Sequence, residues 1–94
     1  MRMHNPPHPG ELLRELWLEP LRLSLEDAAA GLRVPRETLA DIVEGREALT
    51  PEMALRLEIA FGKGADTWLA HQAAWDLWRL EDRRNGLGVR RLAA

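Results

Sequence analysis

Three carboxylates, Glu37, Asp41 and Glu44, recur at helical spacing, with Thr38 among them and Arg36 just ahead. Forked donors, a short hydroxyl and acceptor-only carboxylates on one exposed face are the groups that read base edges in a DNA groove. Nothing else in the chain offers comparable chemistry. There is no cysteine, so thiol nucleophiles, thiolate metal sites and disulfides are excluded. His4 and His8 are four apart but lie in a Pro-rich lead, and Asp66 and His71 find no third ligand at suitable spacing, so no metal and no cofactor is expected. No Ser/His/Asp arrangement, Gly-rich phosphate loop or carboxylate pair supports catalysis, and the chain is not read as an enzyme.

Charge restrains the nucleic-acid reading. The net charge is −2, with −3 carried by residues 24–50 and +2 by residues 67–94. Bulk charge therefore gives no argument for DNA. Twelve of the thirteen basic residues are Arg, whose planar fork suits phosphate and carboxylate better than Lys does. Acidic side chains beside phosphates cost Coulomb energy that base contacts must offset, so any DNA binding is expected to be weak and salt-sensitive.

The elements that must position these groups are helices. Ninety-four residues bound the chain to one domain with a modest core. Residues 1–8 form a Pro-rich lead, residues 9–83 the folded body, and residues 84–94 a flexible Arg-containing tail. Pro9 suits a first helical turn. Leu12, Leu13, Leu16 and Trp17 then repeat on one face until Pro20. Ser24 and Asp27 make a capping-box-like start to a second helix with Leu25, Ala28, Ala29 and Leu32 inward. A turn at Gly31–Val34 leads to a third helix opened by Pro35, with Leu39, Ile42 and Val43 inward and Gly45 as its stop. At about 100° per residue, Glu37, Asp41 and Glu44 then point straight outward, flanked by Thr38 and Ala40. Thr50-Pro51 starts a fourth helix carrying Met53, Ala54, Leu57, Ala60 and Phe61 inward. Asp66 caps a fifth that runs through Trp68, Leu69, Leu77, Trp78 and Leu80 to about residue 83. The expected fold is all-α, five helices, with residues 24–44 as a lambda-repressor-like helix-turn-helix. Apolar runs fall far short of the ~18 residues of a membrane span, and the N-terminus lacks a signal-like stretch, so a cytoplasmic protein with no membrane partner is expected.

Longer strings narrow the family. His8-Pro9-Gly10-Glu11-Leu12-Leu13-Arg14-Glu15, Leu18-Glu19-Pro20-Leu21 and Arg36-Glu37-Thr38-Leu39 resemble the HigA antitoxins, or plasmid-maintenance antidote proteins. So do Gly45-Arg46, Thr50-Pro51-Glu52-Met53-Ala54-Leu55-Arg56-Leu57 and Trp68-Leu69-x-x-Gln72-x-x-Trp75-Asp76-Leu77-Trp78. The resemblance spans roughly residues 5 to 80 and is most specific outside the helix-turn-helix.

What it implies is a dimeric antitoxin that neutralises a HigB-type, RelE-like mRNA-cleaving toxin and represses its own operon at a palindromic operator. By the motif's logic, Arg36, Glu37, Thr38 and Asp41 face the major groove, with Arg36 donating to guanine, Thr38 touching a thymine methyl or phosphate, and a carboxylate accepting from cytosine N4. Arg33 and Arg46 lie near phosphates. A two-fold dimer places its recognition helices about 34–36 Å apart. The family commonly has Gly where this chain has Arg33. If that backbone keeps positive φ, the side chain costs on the order of 1 kcal/mol.

Trp68, Trp75 and Trp78 fall on one helical arc, more aromatic surface than a domain this small easily covers. Part of that stripe, with Leu69 and Gln72, is the expected homodimer contact. Two other functions fit the same elements: a stand-alone helix-turn-helix regulator without a toxin partner, and a protein-binding helical adaptor with weak DNA affinity.

Overall fold

The computed structural model describes residues 5–93, and every regular element among them is helical. The first helix, α1, spans Pro9–Leu13. His8 caps it, with its Nδ1 accepting from the Gly10 N–H at 2.9 Å, and Pro9 occupies the first turn, where no amide is needed. Arg14–Leu18 continue it as a π-helical turn, in which the Glu19 N–H reaches back five residues to the Arg14 carbonyl at 2.9 Å. The wider turn corrects the α-helical spacing. Leu13 and Leu18 are both buried, whereas Leu16, expected inward, is 53% exposed.

Helix α2, Leu25–Leu32, starts at Ser24, whose Oγ accepts from the Asp27 N–H at 3.0 Å. It runs two residues further than expected and ends in a Schellman motif around Arg33. The Val34 N–H donates to the Ala29 carbonyl at 3.0 Å and the Arg33 N–H to the Ala30 carbonyl at 3.2 Å. Arg33 itself is left-handed, at φ 59° and ψ 47°. Helix α3, Arg36–Val43, follows Pro35 and buries Leu39, Ile42 and Val43 as its spacing predicts. Ala40 is buried too, since α3 is packed by both α1 and α2 and needs a wider inward face. At the α1 contact, a Cβ on Gly10 would lie 1.8 Å from the Ile42 carbonyl oxygen, so the two backbones meet where only glycine fits.

Helix α4, Pro51–Phe61, is capped by Thr50, whose Oγ1 accepts from the Met53 N–H at 3.2 Å. Met53, Ala54 and Leu57 point inward, but Ala60 is exposed and Phe61 only half-buried. Helix α5, Ala65–Leu80, has Gly64 rather than Asp66 at its cap position. The Ala65 amide is taken instead by Glu58 of α4, at 2.7 Å, while the Asp66 Oδ1 accepts from the Thr67 N–H at 2.9 Å. The first half of α5 closes the core, with Trp68 fully buried. The second half leaves the body: Leu77 and Leu80 are 59% and 53% exposed. Two 3₁₀ turns, Glu81–Arg83 and Asn85–Leu87, follow. The projection gives the molecule its 50 × 21 × 20 Å outline.

Candidate nucleic-acid interface

The structure leaves one face of α3 open to solvent. Pro35 fixes extended backbone at its start, so Arg36 opens the helix with its side chain in solvent. Glu37 and Thr38 are exposed beside it, and Asp41 is half-buried one turn further on. Arg33 stands exposed on the left-handed turn before the helix. Between α3 and the start of α4 lies an open groove of about 380 Å³, lined by Arg33, Thr38, Asp41, Thr50 and Arg56 among others. Arg36 and Glu37 lie instead by a second depression, with Leu25, Ala40, Glu44 and Arg46, and Asp41 borders both.

Arg36, which opens α3, and Arg46, just past its end, differ in what holds them. The Arg36 Nε donates to the Glu26 Oε1, on the first turn of α2. That bond holds the Glu26 carboxyl below its ordinary pKa, so it stays ionised. Arg46 is more completely engaged. Its Nε and one terminal nitrogen reach the Asp41 Oδ1 at 3.1 and 2.7 Å, and the other terminal nitrogen meets Glu44. All three guanidinium nitrogens of Arg46 are thus tied to carboxylates, and it fastens the end of α3 rather than standing free.

Two residues that were not among those expected at the DNA edge complete the frame. Glu26 is one. Arg56 of α4 is the other: it donates to the Leu32 carbonyl at 2.8 Å and the Arg33 carbonyl at 3.4 Å, covering the open end of α2. Both contacts join residues ten or more apart in sequence, and neither carries a local spacing signal.

The Trp stripe separates into an inner and an outer part. Trp68 has no exposed surface, so it is a core residue and cannot meet a partner. It packs against Trp17 at 5.4 Å between ring centroids, and the Lys63 ammonium lies 4.8 Å from its ring. Gln72 is likewise interior. Its Oε1 accepts from the Leu49 N–H at 2.8 Å and its Nε2 donates to Asp76 at 2.9 Å, so it secures the loop after α3 to α5. Helical spacing places these residues on one arc but does not say how deeply the helix is sunk along its length. Leu69 is half-buried against the core. Trp75 meets the His8 ring edge-on at 4.7 Å, under the Arg79 guanidinium. Trp78 is 37% exposed and lies beside Leu77 on the projecting arm.

His4 lies outside the described residues, and among those described no group of three or more His, Asp or Glu could hold a metal ion. No helix among them is long and apolar enough to cross a membrane.

A helix-turn-helix of this geometry defines a class of DNA-associated proteins, and the chain belongs to it: the helix-turn-helix family model matches residues 14–68. Virulence-associated protein A of Dichelobacter nodosus is 45% identical over 80 residues, covering 84% of this chain and 78% of that protein. Antitoxin HigA-1 of Vibrio cholerae is 34% identical over 74 residues, 79% of this chain and 70% of its own. The structure of antitoxin GraA in complex with its operator superimposes with a TM-score of 0.87 at 35% identity, covering 100% of this chain and 97% of that one. The likeness to HigA-type antitoxins thus extends past the helix-turn-helix into α5.

Proposed function

We propose that this chain is the antitoxin of a type II toxin–antitoxin system, acting as a dimer that binds a palindromic operator in its own promoter and neutralises a HigB/RelE-like, mRNA-cleaving toxin. The observation that carries the reading is the end-to-end likeness to an antitoxin whose structure holds its operator. The exposed edge of α3 supports it, since Arg36, Glu37, Thr38 and Asp41 are free of the core and near Arg33. In this reading Arg36 donates to a guanine, Thr38 meets a methyl group or phosphate, and Glu37 or Asp41 accepts from cytosine. Arg33 lies at the backbone. Leu69, Trp75 and Trp78 form the dimer contact, with Leu77 beside them.

The acidic edge sets how such binding behaves. Few arginines face the DNA without a carboxylate partner, so binding is weak and base contacts carry the discrimination. A mobility shift on the chain's own promoter tests this: specific binding that Arg36→Ala weakens is expected. Failure of the wild-type protein to retard that duplex at low salt overturns the repressor half. Co-purification with the product of a neighbouring small basic reading frame, and loss of that product's RNA cleavage on mixing, tests the antitoxin half.

A further inference from the structure

Arg36 and Arg46 frame the same helix, yet only one of them retains an open fork. Arg46 has each guanidinium nitrogen on a carboxylate. Arg36 makes a single hydrogen bond among the described residues, from Nε to Glu26. A guanidinium held by Nε keeps its two terminal nitrogens, the edge that forms paired bonds to guanine O6 and N7. Glu26 is well placed to survive the approach of DNA. It lies in the first turn of α2, where the helix end favours an anion, and its charge is balanced by Arg36. In water such an exposed pair adds little stability. At a closing DNA surface the dielectric falls and the attraction strengthens.

We propose that Glu26 is a positioning residue for operator reading: it fixes the Arg36 guanidinium by its Nε side so that the terminal edge is presented to one base. The carboxylate lowers general affinity, because it repels phosphates, and raises discrimination, because the fork no longer loses rotational freedom on binding. This inference rests on the operator-binding reading and deepens it.

The experiment is a double-mutant cycle on the full chain, measuring binding to a promoter duplex and to a random duplex of equal length. Glu26→Ala is expected to strengthen binding to the random duplex and lower the promoter-to-random ratio about two- to ten-fold, the range set by immobilising one long side chain. Glu26→Gln, which keeps an acceptor oxygen, restores part of the ratio. In an Arg36→Ala background, Glu26→Ala leaves the ratio unmoved. An equal loss with and without Arg36 assigns Glu26 a structural role and overturns the proposal. So does an unchanged ratio in the single variant when the wild type discriminates normally. A wild-type protein that prefers neither duplex overturns the operator reading and this proposal with it.

Discussion

Arg33 holds a left-handed backbone that a Cβ disfavours, at the turn between the two helices that define the interface. Replacing it by glycine relieves that strain and removes one cation from the DNA edge. Arg33→Gly is therefore expected to keep or raise unfolding free energy, by up to about 1 kcal/mol, while weakening binding to the promoter duplex. Parallel urea melts and mobility shifts check both halves, and a variant that loses stability shows that the side chain is structural. Gly10 gives the opposite case. A methyl there meets the Ile42 carbonyl, so Gly10→Ala must separate α1 from α3 and is expected to cost ~2 kcal/mol or more in a thermal melt. The positive φ of Arg33 was legible only through the resemblance, whose members commonly have Gly at that position. The role of Gly10 was not, because its neighbour is thirty-two residues away.

Among the elements, helix starts were read correctly at Ser24 and Thr50, since a hydroxyl capping an amide three residues on is a local signal. The start of α5 escaped that logic because its first amide is served by Glu58, from a different helix. The cap of α1 has a pH consequence. His8 accepts through Nδ1 and is desolvated by burial, so its pKa in the fold is lowered from 6.5, with Asp76 and Glu11 opposing that shift in part. The unfolded chain then takes up a proton before the native one does. Stability is complete above pH 6.5 and declines as pH falls from there toward the native value. His71, lowered by burial and by Lys63, acts with the same sign. His8→Asn keeps a capping oxygen, and its melting temperature is expected to fall less between pH 7 and pH 5 than that of the wild type. Equal slopes would show that His8 does not titrate with unfolding. In the loop after α3, Gln72→Leu leaves the buried Leu49 amide unpaired, at a cost of about 1–3 kcal/mol measurable in urea.

On the scale of the whole molecule, the chain is a packed body with a projecting arm, and the arm leaves Leu77, Trp78 and Leu80 only partly covered by the same chain. Trp78→Glu is expected to convert a dimer to a monomer in light scattering, with unchanged helical content and reduced promoter binding. Trp68→Ala removes a fully buried ring and should cost about 3–5 kcal/mol in the body itself. If Trp78→Glu remains dimeric, the contact lies elsewhere. Patterning showed the helix count and the aromatic stripe, because both follow from periodicity within a segment. It did not divide the stripe between core and arm, because that depends on where α4 stops and leaves the rest of α5 without a neighbour.

The π-helical turn at Arg14–Leu18 has an effect on sequence length. Its hydrogen bond spans one residue more than an ordinary turn, so the segment behaves as an α-helix holding one insertion. Deleting Leu16 would shorten the Leu13-to-Leu18 separation to four, and both side chains would still face inward. A single-residue deletion, ruinous to the register of most helices, is expected here to leave a folded chain with a regular α-helix. Helix-turn-helix chains one residue shorter at this point should therefore align to it with the gap falling inside the helix rather than in the loop that follows.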